Sequence, residues 1–96
     1  MRVGAARSKE AYDQSLDLGQ KILLYCQGMV SAGGIKKMIA GRLVDSGTAI
    51  GICLSEARMA ADDSSARSKQ IKAKEHLAAS LYWLQTQITK DEAPEE

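Results

Sequence analysis

At 96 residues, 45% apolar and 26% charged, the chain is one small globular domain, too apolar for a disordered segment and too short to bury a large core alone. Its two cysteines, Cys26 and Cys53, have neither a CxxC nor a paired spacing, which argues against a disulfide framework and for a reducing, cytoplasmic setting. The net charge is +1, but residues 91–96, DEAPEE, hold four of the twelve acids, so the body is mildly basic at +5, a balance that permits nucleic-acid contact without demanding it.

Phe is absent and Pro occurs once, at Pro94, while Ala, Leu, Ile, Lys and Gln are plentiful, so helix is favoured. The first predicted helix runs from about residue 8 to residue 30, with Ser8 as a candidate cap. Tyr12, Leu16, Gly19, Leu23, Cys26 and Val30 form its apolar face, widened by Ile22 and Met29. The run SAGG, Ser31 to Gly34, ends it, because glycine accepts the left-handed conformation of a helix C-terminus. A second helix is predicted over about 35–61, with Ile35, Ile39, Leu43, Ser46, Ile50, Leu54, Ala57 and Ala61 on one face. DDSS, Asp62 to Ser65, breaks the pattern and caps a third helix over about 66–90. Its inward face reads Ala66, Gln70, Ala73, Leu77, Leu81, Leu84 and Ile88. Short connections make consecutive helices antiparallel neighbours, so the expected fold is an all-α, up-down bundle of three long helices followed by an acidic, disordered tail at 91–96.

The second helix contains SGTAIG, Ser46 to Gly51. Gly47 and Gly51 line up with Ala40 and Val44 beside the main apolar face, making a flat stripe that lets another backbone approach. Each mid-helix glycine costs about 1 kcal/mol relative to alanine, which close packing offsets. A phosphate loop is the poorer reading, because no strand feeds these glycines and no Lys-Ser or Lys-Thr pair follows them.

The stretch RLVDSGTAIGICLSEAR, with Tyr82-Trp83-Leu84 starting 26 residues after Glu56, resembles the four-helix-bundle proteins encoded in intervening sequences of bacterial 23S ribosomal RNA. The matching residues are Ser46, Gly47, Thr48, Ile50, Gly51, Glu56, Ala57, Tyr82, Trp83 and Leu84, and the resemblance covers about residues 12–90. That family is similar to the accessory proteins of diversity-generating retroelements, which are homo-pentameric barrels that bind a reverse transcriptase and its template RNA. The resemblance implies a homo-pentamer with RNA or a reverse transcriptase as partner. In the family a fourth helix would follow Lys90, where DEAPEE stands here; a neighbouring subunit or partner would then cover the face it leaves.

Arg67, Lys69, Lys72 and Lys74 are the densest basic cluster and the first candidates for phosphate contact, although they divide between two sides of the third helix. Lys36, Lys37 and Arg42 form a second basic group. The ordinary alternative for both is a solvated helix surface. Trp83 falls opposite the Leu77–Leu81–Leu84 face, which marks it as a candidate oligomer or partner interface; its alternative is a helix buried on two sides. The lone His76 has no second ligand at i+4, and neither Ser46 nor Thr48 shows a His-Asp partnership, so the chain is expected to be non-catalytic, with no metal, cofactor or small-molecule substrate. The apolar runs fall short of the roughly 20 residues that span a bilayer, so no membrane association is expected.

Overall fold

Two glycines and one aspartate divide the chain. Gly33 and Gly34 adopt φ of 70° and 57°, the left-handed region that glycine enters without steric cost, and Gly33 N–H donates to the Val30 carbonyl at 3.1 Å. Beyond the second helix, Ala60 is extended, with φ −66° and ψ 144°, and its N–H closes the last turn on the Ala57 carbonyl. Two residues later the Asp62 carboxylate accepts the Ser65 N–H at 2.7 Å, an N-cap that starts the third helix. A computed structural model describes residues 5–92, with side chains over 9–87, as three helices: α1 (Ala5–Ala32), α2 (Gly34–Met59) and α3 (Asp63–Glu92).

The protein is thus all-α among the described residues, with elements longer or shifted relative to the sequence expectation. Ser8 lies within α1 and does not cap it, because the helix already runs from Ala5. The expected tail at 91–96 loses Asp91 and Glu92 to α3, and residues 93–96 lie outside the described residues. Replacing the cap, Asp62→Ala, is expected to cost about 1 kcal/mol. For a domain this size that lowers the thermal midpoint by roughly 4–8 °C. An unchanged midpoint by circular dichroism would show that α3 starts without this bond.

The helices form a plank of 57 × 23 × 18 Å, with α2 in the middle. Side-chain pairings fix the directions. Ile22 sits against Gly47 and Ser15 against Gly51, so α1 and α2 are antiparallel. Ser46 meets Ser80, and Ala73 clusters with Ile50 and Cys53, so α2 and α3 are antiparallel too. Among the described residues no Cα of α1 comes within 8 Å of a Cα of α3. The core is therefore two seams on either side of α2. One joins Ile22, Cys26 and Met29 to Ile39, Ala40 and Leu43. The other joins Ile50 and Cys53 to Ala73, and Leu18 packs against both.

The buried faces of the outer helices are rotated from those the apolar pattern predicts. In α1 the buried residues are Ser15, Ile22, Cys26 and Met29, while Leu16, Leu23 and Val30 are exposed. In α3 they are Ala66, Ala73, Ser80 and Gln87; Gln70, Leu77 and Leu81 are exposed, and the Ile88 side chain lies outside the described residues. The cause is steric. The faces that α2 offers are built from Ala40, Ser46, Gly47 and Cys53, all buried, and only small or slender partners let the backbones close on them. At the α2–α3 seam Ser80 Oγ donates to Ser46 Oγ at 2.8 Å, and Ser46 Oγ donates to the Leu43 carbonyl at 3.3 Å. This chain of hydroxyls satisfies both buried serines and adds about 1 kcal/mol while setting the register of α3.

At 26 residues α2 is long and apolar enough to cross a membrane by length and composition, longer than the apolar runs expected from the sequence. Its position accounts for part of that composition: Ala40, Leu43, Ser46, Gly47 and Ile50 are taken up between α1 and α3, while Ile35, Met38, Ile52 and Met59 stay exposed. A helix flanked on two sides is apolar on more of its circumference than a surface helix.

Candidate interaction surface

The stripe Ala40, Val44, Gly47 and Gly51 lies against α1. A methyl group added at Gly47 would stand 2.6 Å from Ile22 Cδ1, and one added at Gly51 would stand 3.2 Å from Ser15 Oγ. Ala40 is fully buried, and Cys26 Sγ donates to its carbonyl at 3.7 Å. Burial pushes the Cys26 thiol pKa up from its ordinary value, so the side chain behaves as a small apolar group. Val44 is half-buried at the edge of the first core seam.

Because Ser15 and Ile22 occupy the seam, the neighbouring residues Leu16 and Leu23 form one wall of an open groove along the outer side of α1 and α2. The groove holds about 390 Å³. Tyr12, Leu16, Gly19 and Leu23 line it from α1, and Gly51 and Ile52 from α2. Its apolar side chains are uncovered, with Leu16 47% exposed, Leu23 45% and Ile52 58%, and Ser15, Gln20, Thr48, Ser55 and Glu56 complete a lining of mixed polarity. Arg58 lies 5.5 Å from the centre of the Tyr12 ring and holds that ring at one end. Gly19 differs from Gly47 in one telling respect, for nothing lies within 4 Å of where its Cβ would be. Tyr12, Leu16, Gly19 and Leu23 share the face that the sequence pattern turns inward, whereas in the fold they line this groove.

Trp83 moves the other way. It was expected to project from the core, whereas it is half-buried, packs against the Ile22–Leu43 cluster and meets Tyr82 edge to face at 5.4 Å. The rotation of α3 onto Ser80 and Gln87 brings it in. It is Tyr82, 63% exposed, that faces solvent, together with Ile71 and Leu81.

The basic candidates do not converge. Arg67, Lys72 and Lys74 are exposed, and Lys69 is half-buried with its Nζ 3.2 Å from Glu56 Oε1. At about 100° per residue Arg67 and Lys74 fall on one side of α3 and Lys69 and Lys72 on the other. Lys36, Lys37 and Arg42 sit near the start of α2, toward the opposite end of the plank from the start of α3. The acids of α1 gather on its outer surface, where Glu10, Asp13 and Asp17 are exposed and Lys21 pairs with Asp17 at 2.9 Å.

Chemically reactive groupings are not built from the described residues. No set of three or more His, Cys, Asp or Glu side chains is placed to hold a metal ion. The serines that are buried with hydrogen bonds across α2 and α3 serve each other and a backbone carbonyl. What the surface of the described residues offers is exposed apolar side chains, among them Leu24, Ile35, Met38, Ile52, Met59 and Tyr82. No family model, curated protein or solved structure matches the chain.

Proposed function

We propose that the protein is a non-catalytic subunit of a cytoplasmic homo-oligomer, an up-down helical bundle whose task is to assemble and present a surface. The observation that carries this reading is the set of large apolar side chains left exposed along α1, α2 and α3, among them Leu16, Leu23, Ile52, Ile71, Leu81 and Tyr82. Free cysteines, both buried, fit a reducing compartment.

The second reading adds a partner. On the resemblance to retroelement accessory proteins, the assembly would be a pentamer that binds RNA, a reverse transcriptase, or both. Arg67, Lys72 and Lys74 are the exposed bases that would meet phosphate, and repetition around an oligomer would multiply their modest local charge.

Light scattering with absorbance at 260 and 280 nm across the same chromatographic peak tests both. A defined oligomer free of nucleic acid is the result expected for the assembly subunit. An oligomer that retains RNA, loses it steeply with salt and loses it on charge reversal of Lys72 and Lys74 supports the accessory role. A stable monomer at micromolar concentration overturns both.

A further inference from the structure

The plank is folded along its length. Ala40 and Gly47 meet α1, and Ser46 and Cys53 meet α3. At about 100° per residue the two pairs stand roughly 120° apart around α2. In cross-section α1 and α3 are therefore the arms of an open V with α2 at its apex, and one face of the plank is a trough. Leu18 lies on the α1 side of it, since it packs against the core clusters on both sides of α2, and Tyr25 follows one seven-residue step along. On α3, Lys69 reaches Glu56, which stands on the side of α2 away from α1. The other flank of α3, with Leu77, Leu81 and Leu84, turns into the trough. Tyr25, Leu77 and Leu81 are exposed, and Leu18 and Leu84 are half-buried, so the middle of the trough is apolar and uncovered.

The two rims carry opposite charge. The acidic patch on the outer surface of α1 reaches the rim with Glu10 and Asp17, beside Lys21, which Asp17 holds at 2.9 Å. The α3 rim carries Arg67 and Lys74, both exposed, and no acid; Glu75 lies on the back of that helix. Heights correspond as well. Ser15 is level with Gly51, Ile22 with Gly47, and Ser46 with Ser80. With equal rise per residue, Leu18 is then level with Leu77, Tyr25 with Leu84, Glu10 with Arg67 and Asp17 with Lys74, each to within one turn, about 5 Å.

These placements make the face complementary to itself. A two-fold axis parallel to the helices leaves every height unchanged and exchanges the rims, so α1 of one copy lies along α3 of the other. Apolar centre then meets apolar centre, and Glu10 and Asp17 meet Arg67 and Lys74 at both rims. A two-fold axis perpendicular to the helices would instead set α3 against α3 and bring the bases together, which like-charge repulsion disfavours. We infer that the trough between α1 and α3 is the seat of the same face of a second copy, in a parallel, isologous dimer with α1 packed along the other copy's α3. This rests on the self-assembly reading and specifies its interface.

Leu81→Glu and, separately, Tyr25→Glu place a charge in the trough at side chains that are exposed in the single chain. Each is expected to halve the mass seen by light scattering while the helical circular dichroism stays unchanged. Asp17→Lys is expected to weaken the dimer roughly tenfold at low salt, since each dimer holds the pair twice, and Lys74→Asp in the same chain is expected to restore it. Gln14→Cys and Gln70→Cys, on facing rims, test the direction of packing; the native cysteines are buried and leave the background clear. A short thiol cross-linker is expected to join the two variants when mixed and to join neither to itself. Cross-linking of Gln70→Cys with itself would overturn the parallel arrangement. A wild-type oligomer whose mass survives both glutamate substitutions would overturn the trough contact while leaving self-assembly standing. A monomeric wild type would overturn both.

Discussion

Leu43→Ala is expected to destabilise the fold by about 3–4 kcal/mol, the largest single loss available in the chain. Leu43 has no exposed surface and joins Ile39 and Ala40 of α2 to Ile22, Cys26 and Met29 of α1. Truncation forfeits the transfer energy of three carbons and leaves a cavity that the neighbours close only in part. Relaxation is limited here because Ala40 and Gly47, which flank Leu43 on α2, are already in close contact with α1 and cannot move inward. A domain of this size holds about twice that stability in total, so the variant should lose half or more of its resistance to urea with little change in slope. The measurement belongs at fixed protein concentration, because assembly adds stability by mass action. A loss below 1 kcal/mol would show that Leu43 sits in a yielding region and that the stability resides elsewhere.

The three helices and their breaks were legible from the sequence because each signal is local. SAGG supplies the residues that left-handed φ values require, and DDSS supplies an acceptor for a helix N-terminus. The stripe of Ala40, Val44, Gly47 and Gly51 was legible because small residues at helical spacing have a direct steric meaning. Which face of α1 and α3 meets it was not. Ser15–Ile22–Met29 and Leu16–Leu23–Val30 are adjacent stripes with the same seven-residue step, and an apolarity count prefers the leucines. The choice is made by the partner: a floor of glycine and alanine admits Ile22 and Ser15 and leaves the bulkier leucines at the rim. The same rule puts Ser80 inside and Leu77 and Leu81 outside on α3. Apolar residues displaced in this way make up the exposed surface on which the proposed assembly rests. The basic residues were legible as a cluster in sequence but not in space, since neighbours along a helix diverge by about 100°.

A glycine series isolates the packing that causes this displacement. Gly41 and Gly47 lie on the same helix, yet a Cβ at Gly41 meets nothing within 4 Å, while one at Gly47 meets Ile22 Cδ1 at 2.6 Å and Cγ2 at 3.3 Å. Gly41→Ala should therefore stabilise by about 1 kcal/mol through helix propensity alone. Gly47→Ala should come out near neutral, because the same gain is offset by shifting the flexible end of Ile22. Gly47→Leu adds three further carbons against a side chain that is only 3% exposed and has nowhere to go. Overpacking of that kind costs typically 1–3 kcal/mol and here exceeds the propensity gain, so a net loss of about 2 kcal/mol is expected. Urea midpoints of the three variants decide the matter. If Gly47→Leu is as stable as Gly41→Ala, the α1–α2 seam is not closed on the glycines, and the exposure of Leu16 and Leu23 needs another cause.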